Sequence, residues 1–193
     1  MPRYHVFRTA LGWMGVAGRS GLLTRVFLPA HGRAEVERRI RAACPGATAG
    51  RDDLLLEAAR QLSAYADGNR IPFDLPLDLA GEGDRNGVRP PEVKGSDPFS
   101  APFRQRVVRA CMAISFGRCR TYGQVAAAAG SPGAARAVGQ VMRANPLPIV
   151  VPCHRVIGAD GRMVGFSAPG GLWLKERLLL HEGIPLRGGK VVL

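Results

Sequence analysis

The stretch "TYGQVAAAAGSPGAARAVGQVMRAN", residues 121–145, reads as two short helices and the turn between them. Thr121 and Gln124 have the spacing of a capping box, which predicts a helix starting at Tyr122. Gly130 stops it. Ser131 and Pro132 then read as an N-cap and a first-turn proline, so a second helix begins at once. It runs to Asn145, because Pro146 cannot continue it. Two short helices on a tight turn predict a helix-turn-helix.

The second helix has a divided surface. Ala135, Val138 and Met142 lie at helical spacing and are expected to face a core. Arg136, Gln140 and Arg143 recur on another face, with the small residues Ala134, Ala137 and Gly139 between. Such a helix can lie close against a nucleic-acid groove. Taken alone, it also reads as a solvated charged face. The charge balance bears on that choice. The chain carries a net +12, unevenly placed. Residues 1–102 hold 14 Lys/Arg against 12 Asp/Glu, and residues 103–193 hold 13 against 3, a net of +10. A basic half behind a near-neutral one suggests an anionic polymer as partner. An arginine-rich proteome produces basic surfaces without one.

Outward from this stretch, 193 residues with 46% hydrophobic content allow one large domain or two small ones. Residues 81–102, "GEGDRNGVRPPEVKGSDPFSAP", are rich in Gly, Pro and charge and read as a linker. This divides the chain into an α/β scaffold domain over 1–80 and a mostly helical domain over 103–187, an α/β (α+β) protein overall. In the first domain, Val6–Ala17 and Gly21–Leu28 read as two strands of a hairpin turned by "GRSG". Helices follow over 33–44, with Val36, Ile40 and Ala43 on one face, and over 51–68. "PFDLPLDL" (72–79) alternates like a half-exposed strand. In the second domain, helices are expected over 103–117 and 170–185, the latter burying Leu172, Leu178 and Leu179. Glu182 falls in its last turn, where the macrodipole opposes a carboxylate, so it needs a partner or is exposed.

No apolar run approaches the ~18–20 residues of a membrane span. The glycine-broken "TALGWMGVAG" reads as strand rather than secretion signal, so the expected location is the cytoplasm. The four cysteines form no CxxC pair, and Cys44, Cys111 and Cys119 read as small buried hydrophobes. His5, His31 and Cys44 are too few and too scattered for a metal site, so no metal is expected.

Downstream lies "PIVVPCHRVIG", residues 148–158, where a thiol, an imidazole and a guanidinium interrupt an apolar run. Cysteine attacks as thiolate, and its ordinary pKa near ~8.5 leaves little of that form at neutral pH. An imidazole that takes the proton removes the limit. Adjacent side chains of an extended strand point apart, so the chain must bend for His154 to serve Cys153. A third group should orient the imidazole, and Glu182 is the best candidate. Arg155 reads as an internal partner holding the turn. A Cys-His dipeptide alone carries little information.

The ensemble carries more. "PCHRV" preceded by "NPLPIVV" and by "ARAVGQVMRAN", and followed by "GADGRMVGFS" and "LLLHEG", closely resembles the O6-alkylguanine-DNA alkyltransferases. The resemblance is continuous over roughly residues 103–185 and looser over the first 80, where "LPLDL" anchors it. It implies a small ribonuclease-H-like N-terminal domain ahead of the helix-turn-helix domain. It implies DNA repair by direct, single-use transfer of the alkyl group from O6-alkylguanine, with O4-alkylthymine a second candidate, onto Cys153 after base flipping. The protein would be a methylated-DNA–protein-cysteine S-methyltransferase needing no cofactor. Its partner would be double-stranded DNA bound through the minor groove; it would act as a monomer, nucleoid-associated in a prokaryote, with no membrane.

Residue by residue, the resemblance makes Cys153 the acceptor. His154 and Glu182 match a water-linked relay, and Asn145 ties the helix-turn-helix to the active-site turn. Arg136 matches the finger that enters the base stack, and Tyr122 the residue that crowds the 3′ phosphate. Ser131 should touch the DNA backbone. Ala134, Ala135, Ala137 and Gly139 suit the groove. The carbonyls of Cys153 and Val156 match readers of the guanine amino group, and Ser167 lies where the pocket meets the guanine oxygen. Phe166 departs from the family's usual Tyr and cannot donate a hydrogen bond. The loop "SAPGGL" is about two residues longer than in familiar members, which would reshape the pocket lip and admit bulkier alkyl groups. Two other readings compete. A non-catalytic lesion binder would replace the cysteine, which is intact here. A thiol hydrolase would leave the basic helix-turn-helix unexplained.

Overall fold

A computed structural model describes residues 1–79 and 101–192 of the chain. The linker expected over 81–102 lies outside those residues except for its last two, which open a helix. The chain divides into two compact units.

The first unit is a four-stranded sheet and two helices. Strands β1 (Arg3–Thr9), β2 (Gly12–Arg19) and β3 (Leu22–Ala30) form an antiparallel meander, and β4 (Thr48–Ala49) joins β1 in parallel, giving the order β3-β2-β1-β4. The run Val6–Ala17 was expected as one strand and is two. The turn lies in the apolar dipeptide Ala10–Leu11, made by the side chain of Thr9. Its hydroxyl donates to the Gly12 carbonyl (2.9 Å) and accepts from Leu11 N (3.2 Å). Strand β2 is buried at five consecutive positions, Met14 to Gly18, so both of its faces are covered. Helix α1 (Arg33–Ala43) sits closely on it: a Cβ at Gly15 would come within 2.8 Å of Val36 and 2.9 Å of Ile40. Helix α2 (Asp53–Ala66) is capped by the Asp52 carboxylate on Leu55 N and buries Leu55, Ala58, Leu62 and Tyr65 at helical spacing.

The expected strand over 72–79 is not formed. Pro72 and Pro76 have no N–H to give to a ladder. Only Leu77 bridges to Leu23, through Leu23 N to Pro76 O (2.8 Å) and Asp78 N to Leu23 O (3.0 Å). The buried amide of Gln61 holds the segment instead, exchanging two 3.0 Å bonds with the Asp74 backbone. This unit also takes in Pro146–Ile149, and Val26 N donates to Pro146 O at 2.9 Å.

The second unit is mostly helical. Helix α3 (Ala101–Met112) buries Phe103, Val107, Ala110 and Cys111. It ends five residues earlier than expected, where bonds from Ile114 N to Cys111 O and from Arg118 N to Ser115 O turn the chain. Strand β5 (Arg120–Thr121) leads into α4 (Tyr122–Ala128), and both halves of the Thr121–Gln124 capping box are present. Helix α5 (Ala135–Arg143) starts later than the sequence suggested. Ser131 does not cap it. Gly133 takes φ +89°, Ser131 O closes a turn with Ala134 N (3.1 Å), and Ala134 becomes the cap. Its buried stripe is Ala137, Val138, Val141 and Met142, so Ala137 faces the core while Ala135, expected there, is half-exposed.

After a 3₁₀ turn at Cys153–Arg155, β6 (Val156–Ile157) pairs in parallel with β5. Helix α6 (Gly171–His181) buries Leu174, Lys175, Leu178 and Leu179. Leu172, expected in that stripe, is 48% exposed. The helix begins at Gly171, which leaves Leu172 in its first turn, ahead of the buried stripe. A hairpin of β7 (Leu186–Arg187) and β8 (Lys190–Val191) closes the chain. Among the described residues no helix is long and apolar enough to cross a membrane. None forms a group of three or more His, Cys, Asp or Glu able to hold a metal ion.

Candidate active site

The site is built where α5 hands the chain to β6. The helix ends at Ala144, and Asn145 folds its side chain forward so that Nδ2 donates to Val151 O (2.9 Å). Between them Ile149 takes φ +75°, a left-handed backbone that β-branched residues rarely adopt. Val150, Val151 and Pro152 are buried, and the 3₁₀ turn then presents Cys153, His154 and Arg155, all buried. A turn of three residues per revolution sets adjacent side chains about 120° apart rather than on opposite sides.

Glu182 caps the C-terminus of α6 and is 2% exposed. Its carboxylate is not left to the macrodipole. His154 Nε2 meets Oε1 at 2.6 Å. Arg155 donates from Nε to Oε2 (2.9 Å) and from Nη2 to Oε1 (3.0 Å), and Gly117 N donates to Oε2 (3.1 Å). The remaining guanidinium nitrogen, Nη1, donates to Ile114 O at 2.6 Å. Gly117 sits at φ +73°, and a Cβ there would lie 3.2 Å from the Glu182 carbonyl, so the approach needs glycine. Burial pushes the Glu182 carboxyl up, but the hydrogen bonds and charges of His154 and Arg155 outweigh it and hold it at about 2. Burial lowers His154 against the pull of Glu182, so the imidazole is neutral at pH 7.

Burial raises the Cys153 thiol, and three things oppose it: a hydrogen bond from the Asn145 side chain, the charge of Lys175, and the turn's backbone N–H groups. Lys175 was not foreseen. It is fully buried, donates to Val156 O (2.6 Å) and Val164 O (3.3 Å), and burial pulls its ammonium down to about 8. One signal was available: position 175 shares a helical stripe with Leu178 and Leu179, where a lysine is out of place.

A protein-family model described as "6-O-methylguanine DNA methyltransferase, DNA binding domain" matches residues 102–184. A methylated-DNA–protein-cysteine methyltransferase of Mycolicibacterium paratuberculosis is 37% identical over 182 residues, covering 94% of this chain and 93% of its own. A constitutive one from Bacillus subtilis is 35% identical over 167 residues, with 86% and 87% covered. Among solved structures, Mycobacterium tuberculosis OGT in complex with DNA aligns at TM-score 0.66 and 32% identity, over 93% of this chain and 92% of that one. The O6-methylguanine-DNA methyltransferase of Pyrococcus kodakaraensis aligns at 0.62 and 26%, with 95% and 100% covered. The chain belongs to the methylated-DNA–protein-cysteine methyltransferase family.

The other residues that the resemblance to these methyltransferases singled out are distributed along α4, α5 and the 158–171 loop. Tyr122, the first residue of α4, donates its hydroxyl to Val164 O (3.1 Å), and burial raises its pKa to about 12. Its ring stands 3.9 Å from where a Cβ on Gly139 would be, so α5 passes close to it. Arg136 is exposed on α5, and Ser131, Ala134 and Ala135 are half-exposed just before and within its first turn. Phe166 is half-buried. Ser167 is exposed and donates to Arg143 O (2.8 Å). The Val156 carbonyl accepts from Lys175, and the Cys153 carbonyl accepts from Val156 N. Asn145, Cys153, His154 and Glu182 are thereby joined through the 3₁₀ turn, with Arg155 and Lys175 added to them.

Proposed function

We propose that this methyltransferase repairs DNA by transferring the alkyl group of O6-alkylguanine to its own Cys153, once per molecule. The observation that carries the reading is the buried run Cys153-His154-Arg155 closed by Glu182, in a chain whose family membership is established by relatives along nearly its whole length. Glu182 holds the His154 proton on Nε2, which leaves Nδ1 as the imidazole's basic nitrogen. That nitrogen takes the thiol proton, with a water as the link. Arg155 keeps Glu182 ionised, and Lys175 balances the thiolate charge. The sulfur then attacks the alkyl carbon in line. A carbon–sulfur bond forms, the carbon–O6 bond breaks, and guanine leaves as its anion and takes up a proton. The thioether has no good leaving group, so no step restores the thiol and no cofactor is needed.

The alkyl group lies inside the duplex, so the nucleotide is flipped out, at a cost of a few kcal/mol. In our reading residues 103–187 are the DNA-binding domain and α4–α5 a helix-turn-helix entering the minor groove. Arg136 fills the vacated stack, and Ala134, Ala135 and Gly139 allow close approach. Ser131 touches the backbone and Tyr122 crowds the 3′ phosphate, exchanging its bond to Val164 for that role. Val156, Phe166 and Ser167 border the base. Residues 1–80, with the order β3-β2-β1-β4 and two helices, form a ribonuclease-H-like scaffold. The protein acts as a monomer in the cytoplasm.

The test uses duplex DNA with a labelled methyl on guanine O6. About one equivalent of label on the protein, absent from Cys153→Ala, is expected. Binding without transfer would make the protein a lesion sensor and overturn the proposal, as would repeated turnover.

A further inference from the structure

The C-terminal hairpin lies beyond the family match, which ends at residue 184. Its two-residue turn is Gly188–Gly189, at φ +56° and +73°, a pairing that sets Arg187 directly opposite Lys190. On its other side Lys190 bridges to Arg162, from the turn just after β6. Directly opposed residues of antiparallel strands put their side chains on one face. Arg187, Lys190 and Arg162 therefore stand in a row across three segments, all exposed, while the next residue, Val191, points the other way into the core with Ile157, Met163 and Leu179. Like charges set directly opposite are unfavourable. Among the described residues one carboxylate answers the row: Asp160 pairs with Arg162 at 2.8 Å and also feels the charge of Lys190. The backbone bonds of Val191 N to Gly161 O (2.9 Å) and Gly158 N to Arg162 O (2.8 Å) fix the row in place.

We propose that this row is a second DNA-contacting surface, in which Arg187 and Lys190, flanked by Arg162, hold backbone phosphates outside the helix-turn-helix. Segments about 4.8 Å apart give the row a span of roughly 10 Å, close to three nucleotide steps at ~3.4 Å each. A phosphate backbone supplies the repeated negative charge that the opposed cations lack. The contact carries no sequence information; it sets register and affinity. The inference rests on the reading of the protein as a DNA alkyltransferase.

The full-length protein and its Arg187→Gln/Lys190→Gln variant are titrated with unmodified duplex DNA over a series of salt concentrations. The variant is expected to bind more weakly, with a slope of log K against log salt shallower by about 2, since each lost phosphate contact removes ~0.9. Transfer from the free alkylated base should be unchanged, and the thermal midpoint equal or higher because opposed charges are relieved. An unchanged slope in a wild type that binds and transfers overturns this proposal alone. A wild type that neither binds duplex nor takes label overturns the reading of function beneath it. Should the double variant lose transfer to the free base, the single Arg187→Gln at the strand end decides: a slope shallower by about 1 supports the contact, and no change rejects it.

Discussion

Replacing Glu182 with Gln should be the most damaging single change in the second unit away from its apolar core. The carboxylate is 2% exposed and Arg155 is 7% exposed. Four side-chain bonds to Glu182, at 2.6, 2.9, 3.0 and 3.2 Å, come from His154 and Arg155. The amide removes the negative charge and turns an NH2 group toward Arg155 and either His154 or Gly117. Arg155 then remains buried with a carbonyl, Ile114 O, in place of a counter-ion. Breaking a buried pair from one side costs about 3–5 kcal/mol. At roughly 2–4 °C per kcal/mol for a chain of this size, the midpoint should fall by about 6–20 °C. Urea unfolding followed by far-ultraviolet circular dichroism measures it, with the slope m checked for constancy. An Arg155→Met/Glu182→Leu variant replaces the pair with apolar groups of similar size, and such replacements are often neutral. It should recover most of the stability while leaving His154 without its carboxylate and transfer impaired. A Glu182→Gln variant within ~1 kcal/mol of wild type would refute the reasoning, as would a double variant no more stable than the single one.

Acid should unfold the protein in two stages. His154 is held below its ordinary 6.5, so its neutral form is part of the fold and stability declines as pH drops below 6.5. Glu182, at about 2 against an ordinary 4.5, adds stability that is complete above 4.5 and lost as pH falls through 2. Urea midpoints against pH should show both declines, and His154→Gln should remove the first and shrink the second, because His154 helps hold Glu182 low. Lys175→Met withdraws a cation from the thiolate and should slow transfer roughly tenfold at pH 7, with a deficit that shrinks as alkali ionises Cys153. Equal slowing at neutral and alkaline pH would assign Lys175 to packing alone. Thr121→Ala removes one half of the capping box and should cost about 1 kcal/mol in urea; no loss would mean that α4 is held by packing.

Much of the second unit was legible because its signals are local. The Thr121–Gln124 box depends on neighbours in sequence, and so does the stop at Gly130. The cap assigned to Ser131 failed because Gly133 breaks the helical path before the proline can start it. Glu182 was recognisable by contradiction, a carboxylate at the wrong end of a helix, although its double engagement with His154 and Arg155 was not. Lys175 escaped because residue type argues for the surface, and only its place in the stripe argues otherwise. The left-handed Ile149 has no signature at all, since the backbone there is set by contacts far away in sequence. In the first unit the Thr9 turn was hidden by apolar neighbours, and two prolines dissolved the strand expected over 72–79.

Four residues, Pro146–Ile149, belong with the first unit although they lie between Asn145 and Val150 of the second. The chain is therefore stitched rather than strung. A cut anywhere between residues 80 and 100 would part Pro146 from Val26, whose N–H its carbonyl accepts. The thread that leads to the nucleophile passes through the front half on its way.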